Sequence, residues 1–265
     1  MPHLLIIESD PPAIVDSLKT AGRRISVGRY ARVFQSISDQ ISYDVTLPYA
    51  GDFERASLDF AAYDGFVFTG SNVSWSVDAP EALPLRQTME ATLKAQKPIF
   101  GSCNGLQLAA VLLGGTCGAA PTGMEIGLAC NIALSSIGQI HPLHSGRTEP
   151  FCALSVHRDQ VSKVPGGAIV TAGNEHSPVQ AMVYEQGGVR FWGTQYHPEY
   201  SLADIIDSVS DANSLFFSEH EIVAELQAVQ QDLCGEAAKR PGVSANDLKP
   251  YVCRTELRNW LQSLD

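Results

Sequence analysis

Short apolar runs alternate with longer segments of helical character, and this alternation limits the fold more than any other feature of the chain. The predicted strands are residues 4–8, 43–47, 65–69, 99–100 and 189–195. The predicted helices are residues 11–21, 85–93 and 106–113. Parallel strands need crossover connections, and the sheet they form is covered on both faces. We therefore predict an α/β fold with a mostly parallel central sheet and helices on both faces.

Other segments depart from this alternation. Residues 23–40 are less regular, and we expect an excursion on the surface. Residues 116–188 are rich in Gly, Pro and Ser with short β-like runs, which predicts strands and loops outside the main sheet. Beyond residue 210 the apolar residues recur at helical spacing. We predict one domain over residues 1–210 and a helical C-terminal extension, residues 211–265, packed on the same domain.

The balance of charge and the spacing of the cysteines exclude several classes of function. A formal net charge of −11 argues against a nucleic-acid partner, because phosphate neutralisation needs clustered cations, and it favours a small-molecule substrate. No apolar run approaches the roughly 18 residues of a membrane span, and the N-terminus lacks the features of a signal peptide. We expect a cytoplasmic protein without a membrane role. The six cysteines are scattered, so neither a metal site nor a cofactor is predicted.

The strongest chemical signal is the pentapeptide Gly101-Ser102-Cys103-Asn104-Gly105, which lies between a predicted strand and a predicted helix. It has the G-x-nucleophile-x-G spacing of a nucleophile elbow, with cysteine as the nucleophile. So sharp a turn needs small neighbours where the chain passes close to itself. The helix N-terminus would favour the thiolate of Cys103. The other interpretation is a buried cysteine in an ordinary glycine-rich turn.

A possible base follows the last predicted strand, in the segment Gly193-Thr194-Gln195-Tyr196-His197-Pro198-Glu199. In an extended segment, His197 and Glu199 point the same way, and the proline between them favours that geometry. A cysteine hydrolase needs such a base and a group that orients it. A surface turn with solvated side chains is the alternative. The position of both motifs at the carboxyl ends of strands favours an active site.

The turn Thr69-Gly70-Ser71 follows another predicted strand. A backbone N–H at Gly70 would serve the same developing oxyanion as the N–H of Asn104. A plain β-turn explains these residues equally well.

These motifs resemble those of class I (triad) glutamine amidotransferases, above all free-standing members that look like the glutaminase half of GMP synthetase. The segment GSCNGLQLAAVLLGG matches the family's G-x-C-x-G-x-Q pattern, including Gln107. The segment FWGTQYHPE matches its W-G-x-Q-x-H-P-E ending, and FVFTGSN resembles its oxyanion-strand motif. The resemblance covers roughly residues 1–205 and implies a flavodoxin-like amidotransferase fold.

The resemblance implies a role for each matching residue. Cys103 would be the nucleophile, His197 the base and Glu199 its orienting acid. Gly70 and Asn104 would contribute N–H groups to the oxyanion site, and Gln107 would help to hold the amino-acid end of a γ-glutamyl substrate. The implied reaction is attack of a thiolate on a γ-carboxamide, followed by hydrolysis of a γ-glutamyl thioester.

Two residues depart from the family's pattern. Ser102 replaces the usual aliphatic residue before the cysteine, and Arg158 stands where small or neutral residues are common, beside the expected substrate loop. His157 is expected to serve the structure or the substrate loop rather than the chemistry. The remaining histidines are expected to be structural or solvated.

Three functions fit the motifs. The first is a glutaminase that passes ammonia to a synthase on a separate polypeptide, since 265 residues leave no room for a synthase domain. The second is a free-standing γ-glutamyl peptidase or hydrolase, in which Arg158 would meet a substrate carboxylate. The third, a catalytically inactive binding subunit, is disfavoured by the complete triad. We expect glutamine amidotransferase chemistry.

Overall fold

The computed structural model describes residues 1–51, 58–212, 214–218, 220–233 and 244–264. Within these residues the strands are β1 (His3–Ile7), β2 (Ser42–Thr46), β3 (Gly65–Phe68), β4 (Pro98–Ser102), β5 (Thr116–Ala119), β6 (Glu125–Leu134), β7 (Phe151–His157), β8 (Asp159–Lys163), β9 (Ile169–Gly173), β10 (Ala181–Gln186) and β11 (Val189–Thr194). The helices are α1 (Pro12–Thr20), α2 (Ser26–Ile37), α3 (Leu83–Lys94), α4 (Asn104–Leu112), α5 (Leu202–Ser210), α6 (His220–Gln231), α7 (Pro250–Cys253) and α8 (Thr255–Gln262). Among the described helices, none is both long and apolar enough to cross a membrane.

The main sheet has the strand order β2-β1-β3-β4-β11-β10-β9-β6-β7. The strands from β2 to β11 in this order pair in parallel, so their carboxyl ends meet at one edge of the sheet. The predicted α/β fold with helices on both faces is confirmed. Since β4 and β11 are neighbours, with Gly101 opposite Gly193, the segments that follow these two strands are brought side by side.

Both faces of the parallel strands are buried. Along β1, Leu4 and Ile6 belong to an apolar cluster that includes residues of α2 and α8. Leu5 and Ile7 belong to a second cluster, with residues of α3 and α4. Successive side chains of a strand point to opposite faces. A strand covered on both faces has no polar side, which explains the continuous apolar run in the sequence.

The expectation for residues 116–188 was wrong in its main part. Only β5 and β8 form a separate two-stranded sheet. The strands β10, β9, β6 and β7 instead extend the main sheet in antiparallel fashion. The hairpin between β10 and β11 turns at Gly187 and Gly188, whose φ angles are 59° and 84°. A two-residue turn with positive φ at both positions has a backbone twist that matches the twist of the flanking strands. This turn therefore lets β11 pair directly with β10 in the same sheet.

The expectation of an irregular surface excursion at residues 23–40 was also wrong. The helix α2 occupies most of this segment, and Tyr30, Val33 and Phe34 on it are fully buried. The helix begins after Ile25 without a hydrogen bond from a capping side chain, so the usual start signal is missing from the sequence. Burial of one apolar face stabilises a helix whose local signals are weak.

The C-terminal residues pack onto the core of the sheet. Trp260 on α8 is buried, and its ring centroid lies 5.9 Å from that of Phe100 and 6.4 Å from that of Phe34. A Cβ at Gly65 on β3 would lie only 3.1 Å from the Trp260 ring, so the contact is tight. The predicted C-terminal helix is confirmed, whereas the division into residues 1–210 and 211–265 stays a prediction.

Candidate active site

Cys103 lies at the turn between β4 and α4, where the sequence predicts an elbow. Its φ of 49° and ψ of −105° are strained values for a residue with a side chain. A Cβ at Gly101 would lie 2.7 Å from the carbonyl carbon of Gly105, and one at Gly105 would lie 2.8 Å from the carbonyl oxygen of Phe68. The two glycines of the motif are therefore a steric requirement of the turn.

His197 and Glu199 follow β11 and form a buried pair. Nδ1 of His197 lies 2.7 Å from Oε1 of Glu199, and each side chain is 2% exposed. The ring of Tyr200 stacks on the imidazole with centroids 4.2 Å apart. Burial lowers the pKa of His197, but the neighbouring Glu199 carboxylate outweighs burial and the pKa stands well above its ordinary value. The site therefore favours the imidazolium form.

The thiol of Cys103 and the imidazole of His197 lie against the same backbone carbonyl. Sγ of Cys103 is 3.8 Å and Nε2 of His197 is 3.3 Å from the carbonyl oxygen of Val156 on β7. Hydrogen bonding between the thiol and the imidazole contributes to the raised pKa of His197. An imidazole in this position can take the proton of the thiol and leave a nucleophilic thiolate.

Gly70 lies beside the same pair. A Cβ at Gly70 would come within 2.8 Å of Cε1 of His197 and 3.7 Å of Cβ of Cys103, so a side chain would press on the imidazole. Asn104 is the first residue of α4, and the N–H groups of a first helical turn have no partner within the helix. The structure thus brings both predicted oxyanion residues next to Cys103.

Asp10, which sequence reasoning missed, fixes the segment after Gly70. Its carboxylate accepts hydrogen bonds from the backbone N–H of Asn72 at 2.6 Å, from Nδ2 of Asn72 at 2.7 Å and from Oγ of Ser71 at 2.9 Å. Ser71 Oγ also lies 3.0 Å from the carbonyl oxygen of Ser9. The hydroxyl of Ser71 therefore holds the loop in place. The position of Asp10 just beyond β1, at the carboxyl edge, was the available signal.

Gln107 and Arg158 are held by their neighbours. Nε2 of Gln107 donates to the carbonyl oxygen of Asp159 at 2.6 Å. The guanidinium of Arg158 donates to both carboxylate oxygens of Asp159, each at 2.8 Å, and to the carbonyl of Ser74. Hydrogen bonding to Asp159 raises the pKa of Arg158. The unusual cation beside the substrate loop thus carries its own counter-ion, which the sequence did not predict.

A pocket of about 300 Å³, including the space open at its mouth, lies over these groups. Its lining residues are Ser71, Val73, Trp75, Cys103, Asn104, Gln107, His157, Arg158, Asp159, Leu215 and Phe216. The polar residues come from the motifs that the sequence singled out and from β8. Leu215 and Phe216 follow α5 in a segment without a motif, so nothing in the sequence pointed to them.

His157, which lines this pocket, also belongs to a buried polar cluster. Its Nε2 lies 2.9 Å from Oε2 of Glu125, and ligand atoms of Glu125, His157 and His176 lie within 4.8 Å of one another. No spacing in the sequence predicted this grouping. Glu125 also accepts hydrogen bonds from Ser155, Asn174 and Gln180. Burial raises the pKa of Glu125, but hydrogen bonding to His157 outweighs it and the pKa is lowered. These donors satisfy the carboxylate without a cation.

Comparison with known proteins places these motifs in a recognised family pattern. The sequence model of class-I glutamine amidotransferases matches residues 52–207. The chain is 35% identical over 176 residues to a gamma-glutamyl-L-1-hydroxyisopropylamide hydrolase from a Pseudomonas species, an alignment that covers 65% of this chain and 59% of the relative. The aligned segment thus spans less than two thirds of that relative.

A second relative and a solved structure point the same way. The chain is 28% identical over 173 residues to one of the subunits of the glutamine-hydrolysing GMP synthase of Ignicoccus hospitalis, covering 65% of this chain and 84% of the relative. The fold is similar to that of a glutamine amidotransferase from Thermotoga maritima, with a TM-score of 0.60 at 17% identity, over 99% of this chain and 97% of the other.

Proposed function

The chain belongs to the class-I glutamine amidotransferase family, and from that premise we propose that it hydrolyses γ-glutamyl amides through a thioester on Cys103. The single observation that supports this most is the buried ion pair of His197 and Glu199, 2.7 Å apart, beside a strained elbow that presents the thiol. In this proposal His197 is the base and Glu199 orients it. A nucleophile, a base and an orienting group in contact are the minimal machinery of acyl transfer.

The proposed reaction has two halves. First, the thiol proton of Cys103 passes to His197, and the thiolate beside the resulting imidazolium attacks the γ-carbonyl carbon. The C–N bond then breaks, and the amine leaves with the proton that His197 returns. In the second half, water gives a proton to His197 and attacks the thioester. The C–S bond breaks, the sulfur regains a proton, and glutamate is released.

The groups around Cys103 fit the charges that develop on such a substrate. We infer that the N–H groups of Gly70 and Asn104 bind the oxyanion of the tetrahedral intermediates. The α-carbon of a γ-glutamyl group carries both an ammonium and a carboxylate. The ion pair of Arg158 and Asp159 offers one charge of each sign on the pocket wall, and Gln107 lies beside it. His157 supports this loop through its buried hydrogen bonds.

The apolar part of the pocket supports an amine larger than ammonia as the leaving group. Trp75, Leu215 and Phe216 line the same pocket as the thiol, and side chains of this kind can contact the hydrocarbon part of an amine. We therefore favour a γ-glutamyl amide of an amine with a hydrocarbon part over glutamine. The relative from Pseudomonas is named for hydrolysis of a γ-glutamyl amide whose amine is larger than ammonia, and this supports the preference.

Glutamine is the second candidate substrate, with ammonia passed to a synthase on another polypeptide. The similarity to the GMP synthase subunit of Ignicoccus hospitalis, over 84% of its length, favours it. In this case the same triad would act, and a partner polypeptide would receive the ammonia. A cytoplasmic location is proposed for either function, because the cysteines of the described residues are free thiols, as is usual in a reducing compartment.

Release of glutamate by the purified chain tests the proposal. The substrate panel contains glutamine and the γ-glutamyl amides of a small, a branched aliphatic and an aromatic amine. Cys103→Ala should abolish turnover, whereas Cys117→Ala, which removes a thiol whose pKa burial raises to about 12, should retain it. Faster turnover of the apolar amides supports the favoured function, and preference for glutamine supports the second candidate. Turnover that survives Cys103→Ala contradicts both.

A further inference from the structure

The hydroxyl of Ser102 is a part of the elbow that the proposed function leaves unexplained. Ser102 stands where the related pattern has an aliphatic residue, and it is completely buried. Its Oγ lies 3.0 Å from Oε1 of Glu199. A carboxylate can only accept, so Ser102 must donate this hydrogen bond. The oxygen that faces His197 at 2.7 Å therefore receives a second donor.

A second hydroxyl continues this chain of hydrogen bonds. Tyr30 on α2 is completely buried, and its hydroxyl oxygen lies 2.7 Å from Oγ of Ser102. Because Ser102 donates its only proton to Glu199, the hydroxyl of Tyr30 must donate to Ser102. Burial raises the pKa of Tyr30 well above its ordinary value, so the phenol keeps this proton. Each hydrogen bond from Tyr30 to the carboxylate thus has a fixed direction.

We propose that Ser102 and Tyr30 are positioning residues that hold the carboxylate of Glu199 against the base. The inference rests on the proposed function, since both residues act through Glu199 on His197. Two donors converge on one carboxylate oxygen and fix its position relative to the imidazole. The serine also takes up part of the negative charge that His197 would otherwise feel. The other ionisable groups at this pair are Tyr200, which stacks on the imidazole, and Arg29, which lies over the Tyr200 ring; both are unchanged in the variants. The chain of hydroxyls therefore sets both the orientation of the base and the strength with which it holds its proton.

The two hydroxyls depend on each other. An aliphatic residue at position 102 would leave the hydroxyl of Tyr30 buried without an acceptor, which is costly. Removing the Tyr30 hydroxyl alone would leave Oγ of Ser102 without its donor. Residues in one hydrogen-bonded network show non-additive effects on substitution. We therefore expect Ser102→Ala combined with Tyr30→Phe to impair catalysis no more than Ser102→Ala alone.

Steady-state kinetics on γ-glutamyl-p-nitroanilide provide the first test. We expect Ser102→Ala to lower kcat about tenfold with little change in KM, and Tyr30→Phe to lower it less. In Ser102→Ala the alkaline limb of the pH profile of kcat/KM should move to higher pH. Without the serine donor, the full negative charge of Glu199 acts on His197 and the imidazolium holds its proton more strongly. Ser208→Ala removes another buried hydroxyl, on α5, and should leave both readouts unchanged. An unmoved limb, or additive losses in the double variant, would overturn the proposal.

Alkylation of Cys103 by iodoacetamide, followed by mass spectrometry of its peptide, tests the same inference without substrate. The pH dependence of the alkylation rate should shift in Ser102→Ala and in Tyr30→Phe, but not in Ser208→Ala. If the wild-type chain cleaves no γ-glutamyl amide and the alkylation profile still shifts, the proposed function fails and the positioning role stands. Unshifted profiles in an enzyme that does cleave the amide refute the positioning role alone. Both substitutions delete one oxygen atom, so folded variants are expected.

Discussion

Glu256 on α8 is a fully buried carboxylate whose charge is balanced by Arg147. The guanidinium donates two hydrogen bonds, from Nε to Oε1 at 2.8 Å and from Nη2 to Oε2 at 2.7 Å. Nδ1 of His144 lies 3.4 Å from Oε1. Glu256→Gln keeps the shape of the side chain, removes its charge and leaves a buried cation with a neutral partner. This substitution tests how much the ion pair adds to the docking of α8.

The size of the effect follows from the pKa of the carboxyl group. Burial alone would raise the pKa of Glu256, but the attraction of Arg147 outweighs it and holds the pKa at about 2, against an ordinary value of 4.5. At about 1.4 kcal/mol per pH unit this difference gives about 3 kcal/mol. The folded pKa lies below the unfolded one. The contribution to stability is therefore complete above pH 4.5 and is lost as the pH falls towards 2.

Urea unfolding followed by tryptophan fluorescence measures this contribution. At about pH 7 we expect Glu256→Gln to lower the free energy of unfolding by about 3 kcal/mol. The difference from wild type should shrink at about pH 3, where the wild-type carboxylate begins to protonate. Glu90→Gln, at an exposed position on α3, is the matched control and should change little at either pH. A difference below about 1 kcal/mol at neutral pH, or one that does not depend on pH, would refute the reasoning.

Four further substitutions have expected outcomes. Gly70→Ala places a Cβ 2.8 Å from Cε1 of His197, and kcat should fall at least about tenfold. In Gly118→Ala the Cβ meets nothing within 4 Å and kcat should not change, so equal rates in the two variants would contradict the steric argument. Asp10→Ala frees the loop after Gly70 and should lower kcat about tenfold, with unchanged alkylation of the nucleophile; unchanged kcat would show that the loop holds itself. Burial raises the pKa of Glu8 to about 8 from 4.5, so its contribution to stability is complete below pH 4.5 and is lost as the pH rises through 8. The wild-type free energy of unfolding should fall over that range and that of Glu8→Gln should stay flatter, whereas parallel curves would count against a buried neutral carboxyl.

The elbow and the paired His197 and Glu199 could be predicted from the sequence because their geometry is set locally. Gly101 and Gly105 are needed where the backbone passes close to itself, and the residues that need them lie a few positions away. The apolar strands were equally visible, since a strand buried on both faces cannot carry polar residues. Their parallel order then brings the two motifs to neighbouring positions.

Features that depend on long-range contacts could not be predicted in this way. The helix α2 has no capping hydrogen bond from a side chain. Its apolar face is stabilised by contact with strands that are distant in the chain, so the local sequence does not predict the helix. The partner of Ser102 is Tyr30, 72 residues earlier, and no local pattern connects them. The sequence showed Arg158 as an unusual cation, but only the structure shows that Asp159 neutralises it. The antiparallel half of the sheet also depends on pairings between strands that are distant in the chain.

Two apolar side chains that line the pocket lie outside the segment that the family model matches. Leu215 and Phe216 line the pocket, yet they follow residues 52–207, which the family model matches. Evolution can therefore change this part of the pocket wall in one stretch of chain, while the proposed reacting groups lie in another. A side chain at Gly101 or Gly105 of the elbow would clash with the backbone, whereas a residue that lines the pocket can be exchanged for a larger or smaller one. An enzyme built in this way can change its substrate preference while its catalytic groups stay the same.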